Sequence, residues 1–515
     1  MRNMRIFVRT LSVLTMLIYC LPGAWGSVAR IQVTSSGSAT GSCTGNGITI
    51  LSPAQFNDTS NWGTGASQIG PGTSILACGT FTGAAGQNNL LAFQGSGASG
   101  NPIVFNCDSD TNITSPQWGG GSGAPIIVTN RSNITLNGSG CTIQNTANGS
   151  GLANNAYSTG IWVSGSSNVI VENFKILNIC QHTSVTDHTG CVTSGNLPAA
   201  IMTSGSNITV HGNTINDSAY GVYHNAGASD SGVSITANTI NRCNQHIAVA
   251  TAGFGNAISG TVISNNNLTN AVNWDDGVTD TFHHNGIFVF QGWGGTITNT
   301  SIYDNTIGGD FGVNDTSYIF IDPNGGTITS TAVFNNLLLN GSTVNGPANG
   351  FITGLGTGGG AAYNNTIFCN GAGFAAIKTD SPSTLKNNII STCLYGIYVN
   401  SGTSLAQSDY NVVYGVSNMY YNATTFSSVA AWTAATGFDS HSVVGNPGLN
   451  TDGTLRTGSA AVTVGANLAI LGIPPLNSDY SGTVRPSAAA WDAGAYTHAG
   501  AVAPAPPTNL SAAVH

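Results

Sequence analysis

Side chains able to carry charge are scarce in this chain, so the places where they gather stand out. Asp, Glu, Lys and Arg make up 6% of the 515 residues, and Glu172 is the one glutamate among 20 acidic groups. The densest gathering runs from about Thr269 to Asn285 and holds Trp274, Asp275, Asp276, Asp280, His283 and His284. A second, from Cys180 to Pro198, holds His182, Asp187 and His188, and Arg242 and His246 lie between the two. Two chemistries suit the aspartates. Asp275, Asp276 and Asp280 can act as general acid and base in glycoside hydrolysis, where the carboxyl separation selects inversion or retention. Alternatively, the same three can bind Ca²⁺, which takes several oxygen ligands. The cation would acidify a uronate, and His246, His283 or Arg242 would take the proton. Turn-making is the plainer reading of the same aspartates. His283 and His284 alternate faces in extended chain, which argues against a shared metal.

These residues must be positioned by a repeat. Asn207-Ile-Thr-Val-His-Gly-Asn213-Thr-Ile215 is echoed by Val233-Ser-Ile-Thr-Ala-Asn238-Thr-Ile240. Ile302-Tyr-Asp-Asn305-Thr-Ile307, Tyr363-Asn-Asn365-Thr-Ile367 and Lys386-Asn-Asn388-Ile-Ile390 follow, with looser copies at Asn266, Asn336 and Asn411. The spacings of 25, 28, 39, 31, 29, 23 and 23 residues fit one turn of a three-strand coil, lengthened in places by a loop. Such a coil cannot bury its apolar face alone, so coils must stack. At about 4.8 Å per rung, each inward Asn then lies over the next and makes a hydrogen-bonded ladder. A β-sandwich would leave the single Asn column unexplained.

A second phrase follows each Asn: Gly160-Ile-Trp-Val163, Ala200-Ile-Met-Thr203, Gly221-Val-Tyr-His224, His246-Ile-Ala-Val249, Gly286-Ile-Phe-Val289, Tyr318-Ile-Phe-Ile321, Gly350-Phe-Ile-Thr353, Ala376-Ile-Lys-Thr379 and Gly396-Ile-Tyr-Val399. With the second residue inward, strand alternation sends the third outward. The outward column then reads Trp162, Met202, Tyr223, Ala248, Phe288, Phe320, Ile352, Lys378, Tyr398, and His246 is expected outward on its coil. Rings at regular spacing suit sugars, whose apolar faces stack on them, so Trp162, Tyr223, Phe288, Phe320, Tyr398 and Trp274 are candidate substrate-binding residues. Cover by loops or by a second chain would equally account for the stripe.

The repeat resembles the right-handed parallel β-helix of the pectate-lyase-like superfamily over residues 126–420. The resemblance implies an all-β single solenoid with an asparagine ladder and capped ends, and a cleft beside the aromatic stripe under the two long loops. Activity does not transfer with it. Polygalacturonases of the superfamily carry Asn-Thr-Asp, Asp-Asp, Gly-His-Gly and Arg-x-Lys, of which Asp275-Asp276 is the lone match. Arg242 alone does not make the Arg-rich strand of pectate lyases. Asp322-Pro323-Asn324 departs at its last residue from the Asp-Pro-His of mannuronan epimerases.

The remaining expectations come from composition and the ends. Residues 1–26 read as a bacterial secretory signal, with Arg2, Arg5 and Arg9, an apolar Leu11–Leu21 and a small-x-small site at Ala24-Trp25-Gly26. Its loss would take the formal charge from −9 to −12, since those three arginines go with it. The net charge and the lack of a basic stripe exclude nucleic acid as a partner, and no later apolar run reaches the roughly 18 residues of a membrane span. The expected product is secreted or surface-bound, with a polysaccharide as partner and its oligomeric state open. In an oxidising compartment the nine remaining cysteines should pair with one left over. Cys180–Cys191 and Cys369–Cys393 are the expected pairs, Cys43, Cys78, Cys107 and Cys141 pair among themselves, and Cys243 is the odd one. Residues 27–125 are expected to form a cap and first coils, 421–500 a closing segment, and 501–515 a Pro-rich linker similar to the start of a fibronectin type III domain. Two functions fit: a carbohydrate-active lyase or glycoside hydrolase, or a non-catalytic adhesin.

Overall fold

The structure, a computed structural model, describes residues 30–183, 185–186, 190–191, 196–275, 283–291, 294–312, 317–400 and 405–498. It is a single right-handed parallel β-helix, as the repeat requires. Strand pairing is parallel from Arg30–Val33 through Val443–Val444, and among the described strands only the hairpin Asn418–Tyr421 with Thr424–Phe426 is antiparallel. The parallel coils therefore already run through the region before residue 126.

Each coil is made of short strands joined by turns that need one residue in the left-handed region. One such turn repeats at Asn173, Gly212, Ala237, Asn265, Asp304, Asn335, Asn364, Asn387 and Tyr410, all with φ between 50° and 65°. Asn tolerates that conformation better than other side-chain-bearing residues, which explains its doubling in Asn335-Asn336, Asn364-Asn365 and Asn387-Asn388. The second member of each pair turns inward as the ladder rung. Asn213, Asn238, Asn266, Asn305, Asn336, Asn365, Asn388 and Asn411 form one continuous chain of hydrogen bonds. At Asn305 the Oδ1 accepts from the backbone N and Nδ2 of Asn266 at 3.1 and 2.9 Å. Its own Nδ2 donates to Asn336 Oδ1, Ile263 O and Tyr303 O. The ladder is finished at both ends: Phe174 N donates to Asn213 Oδ1, and Asn411 donates to Ser442 Oγ and Asp439 Oδ1.

Beside the ladder, inward aliphatics stack rung on rung. Val222, Ile247, Ile287, Ile319, Ile352, Ile377 and Ile397 are in register and fully buried. Burying each such side chain contributes about 1.5–3 kcal/mol. The disulfides are Cys43–Cys78, Cys107–Cys141, Cys180–Cys191 and Cys369–Cys393, leaving Cys243 buried as a thiol.

The last segment seals the helix end and then runs back along its flank. Helix Val429–Thr436, capped by Ser428 and Gly437, buries Trp432 against the last coil. Beyond it, the turn asparagines hold the chain: Asn335 donates to Ser478 O, Asn364 to Asp492 O and Asn387 to Ala466 O. Arg485, buried over the Trp491 ring, donates to Asn335 Oδ1 and to the carbonyls of Gly494 and Ala495. Asp304 occupies this same turn column. Burial pushes its carboxyl up to about 7, against the opposing pull of Asn335 and Arg485.

Two stability outcomes follow. Asn305→Ala removes a rung whose partners stay buried and should cost roughly 2–4 kcal/mol, read as a lower urea midpoint, whereas Asn207→Gly at an exposed left-handed turn should leave the midpoint nearly unchanged. An acid whose folded pKa is raised loses folded stability as pH rises from its unfolded to its folded value. Asp304→Asn should therefore match the parent near pH 4 and melt higher than it above about pH 7; equal melting at both pH values would contradict the burial of this carboxyl.

Candidate functional site

Strand register builds an unbroken outward column over the face that follows the ladder. Its order is Ile127, Trp162, Met202, Tyr223, Ala248, Phe288, Phe320, Thr353, Lys378, Tyr398, Tyr420. The five rings expected there, Trp162, Tyr223, Phe288, Phe320 and Tyr398, share this one column. Ile352 does not. Gly350–Gly354 pairs with its neighbour one residue out of phase with the phrase, so Ile352 lies over Ile319 in the core and Thr353 takes the outward place. A one-residue slip exchanges the two faces.

The column's rings also stack on one another. Phe288 lies 5.3 Å from Phe320 and 5.2 Å from Phe290, and Tyr220 lies 4.5 Å from Tyr223. At the far end Tyr398 and Tyr420 stack at 4.1 Å with their planes nearly parallel, 3° apart. Lys378 sits over Phe374 and donates to Asn349. Between the upstream and downstream rings lies a cavity of about 340 Å³ lined by Tyr220, Tyr223, Ala248, Ala250, His283, Phe288, Phe290, Phe320 and Asp322. The ionisable lining groups are the two tyrosines, His283 and Asp322; no Lys or Arg faces it among the described residues. His283 stands edge-on to Phe288 at 5.2 Å and to Phe320 at 6.3 Å, and its Nδ1 pairs with the Asn285 amide. Asp322 extends the groove into a smaller recess with Lys378 and Asp380. Burial raises the Tyr220 phenol to about 12 and Tyr223 further, so both are neutral donors at ordinary pH.

Of the expected acid–base set, His283 reaches the cavity. His246 does not: it lies inward, not outward as expected from strand alternation. The chain bends at this corner, so His246 falls in the inward column of Gly221, Gly286 and Tyr318. There it is fully buried, with Nε2 3.0 Å from Thr269 O and its ring against Phe311. Burial lowers its pKa and keeps it neutral. His284 is buried against Asn244 Oδ1. Arg242 pairs with Asp217 at 2.9 Å on an outer turn, away from the cavity lining. Asp275 ends the 3-10 turn Val272–Trp274 and is buried close to Gly312. Asp276 and Asp280 lie outside the described residues, as do Asp187 and His188. Among the described residues no three His, Cys, Asp or Glu side chains converge as a metal site, so the Ca²⁺ reading retains only Asp275 as a described ligand.

Trp274 is likewise not a platform for sugar. It is fully buried, stacks on His182 at 4.4 Å and donates to Arg242 O beside the Cys180–Cys191 bridge. The two long loops are thus pinned to each other. The residues that sequence reasoning missed are Tyr220, Ala250, Phe290 and Asp322. Three of them carried a signal: Ala250, Phe290 and Asp322 each stand two residues beyond a column member, so extending the period-two pattern would have reached them.

No family model matches the chain, and no curated protein does. Solved structures with a similar coil include the periplasmic alginate epimerase AlgG (14% identity over 68% of this chain and 76% of that one, TM-score 0.38). The GH136 lacto-N-biosidase from Eubacterium ramulus gives 13%, 76%, 67% and 0.42, and pectate lyase Pel9A gives 16%, 92%, 97% and 0.37. The right-handed parallel β-helix itself is read from the coil register described above. At these scores nothing about activity follows from the likeness.

Trp274→Ala should cost about 3–5 kcal/mol of stability through the cavity it leaves, read by calorimetry, while Trp274→Phe keeps most of it. A Trp274→Phe variant that melts like the parent but no longer binds sugar would put this ring back in the binding surface.

Proposed function

We propose that the chain binds a polysaccharide across the aromatic column and hydrolyses it in the cavity, with Asp322 and His283 moving the protons. One observation carries this reading: rings from several coils line a single cavity whose lining also holds a carboxyl, Asp322, and an imidazole, His283. A pocket of this size with apolar walls and a few convergent polar groups is the usual form of a small-molecule site. Hydrolysis needs a proton delivered to the leaving oxygen and one removed from water, and two titratable groups suffice. No Lys or Arg lines the cavity itself among the described residues, and Lys378 lies in the adjoining recess with both Asp322 and Asp380, which favours a neutral glycan over a uronate in the cavity. Four disulfides support an oxidising, extracytoplasmic setting, and no helix among the described residues is long and apolar enough to cross a membrane.

The test is product release from a panel of neutral and uronate polysaccharides, with and without chelator. New reducing ends from a neutral polymer, insensitive to chelation, are expected. Asp322→Asn and His283→Ala should each lower turnover by roughly 10²–10⁴ with binding retained. Unsaturated product lost on chelation would replace this reading with a cation-dependent lyase. Binding without any product would leave an adhesin.

A further inference from the structure

Between Tyr223 and Phe288 one coil of the aromatic column carries no ring, as the coils of Met202, Thr353 and Lys378 also do not. Tyr220 and Tyr223 stack upstream, and Phe288, Phe290 and Phe320 stack downstream. On the coil between them both outward positions are alanine. Ala248 is in register with Tyr223 and Phe288, and Ala250 with Asn225 and Phe290. Rungs about 4.8 Å apart put those of Tyr223 and Phe288 about 9.6 Å apart. Where the column is filled, ring centres on successive coils lie 5.3 Å apart at Phe288–Phe320 and 4.1 Å apart at Tyr398–Tyr420. The gap is therefore one ring deep, and the cavity of about 340 Å³ takes in this gap and runs on to Phe320 and Asp322. Its floor is tight: Ala248 is 2% exposed and Ala250 4%.

We propose that this missing rung receives one neutral pyranose ring of the glycan, seated between Tyr223 and Phe288 as the absent member of the stack. The proposal rests on the carbohydrate reading above and narrows it. The guest must present two apolar faces to the aromatic walls and a hydroxylated edge to His283, Asp322 and the neutral tyrosine hydroxyls. A pyranose has both. A wholly apolar aromatic guest would leave the polar lining desolvated without hydrogen bonds, which is costly, and a carboxylated ring would face Asp322. The alanines are then specificity determinants, since a larger side chain at either position fills the space the guest needs.

The experiment is saturation-transfer NMR of the whole chain with cellobiose, maltose, xylobiose and mannobiose, on the parent, Ala248→Phe, Ala248→Leu and Phe288→Leu, with thermal melts of each. Ala248→Phe completes the stack, so it should melt no lower than the parent and weaken binding roughly tenfold or more. If the larger ring fails to fold, Ala248→Leu carries the same expectation with less added volume. Phe288→Leu keeps an apolar wall without a ring face and should weaken binding less than Ala248→Phe. A disaccharide that binds the parent and a folded Ala248 variant equally well overturns the missing rung while leaving the carbohydrate reading standing. No transfer from any of the four sugars to the parent counts against both.

Discussion

The stacking of one coil on the next at a fixed rung height is the constraint on which everything else here depends. The asparagine ladder enforces it. Each rung asparagine accepts from the backbone and the amide of the coil before and donates to the coil after, inside a dry core where an unmade bond is expensive. A coil displaced by one residue would lose its asparagine partner and exchange its inward and outward side chains together. The left-handed residue just before each rung completes the device, because it turns the asparagine inward at every coil.

The groove inherits that order. Side chains at one phrase position are carried into a straight column by backbone hydrogen bonds far from them, so rings contributed by residues tens of positions apart meet at near-stacking distance. The same rule makes a deliberate gap possible: two alanines on one coil open a slot whose width is set by the strand spacing. Gly350–Gly354 breaks phase with the phrase in the groove strand while the asparagine rungs stay aligned on either side.

The flank shows a second use of the turn column. Asparagines that make the bend also grip the returning C-terminal segment, so the closing chain is bound to the repeat itself. The acidic member of that column, Asp304, sits where burial opposes its charge. The described parts of the two long loops lock together around Trp274, His182 and a disulfide. That packing withdraws Trp274, which its place in the long loop had made a candidate substrate-binding ring.

The repeat phrases, read alone, determined the architecture, the eight rung asparagines, the five-ring column and the Cys369–Cys393 partnership, because a period carried through many copies outweighs any local ambiguity; the partners among Cys43, Cys78, Cys107 and Cys141 were decided by the structure. They also placed His283 and His284 on opposite faces. Only the tertiary structure decided which ionisable groups meet the rings. His246 obeys strand alternation on paper but lies at a corner where the chain bends and alternation no longer tells inside from outside. Arg242 and Asp275 are near the cavity in sequence yet belong to turns satisfied elsewhere. Asp322 and Ala250 were read past because their role comes from neighbours on other coils: an aspartate becomes part of a site, and an alanine becomes an opening, only once the stack sets rings beside them.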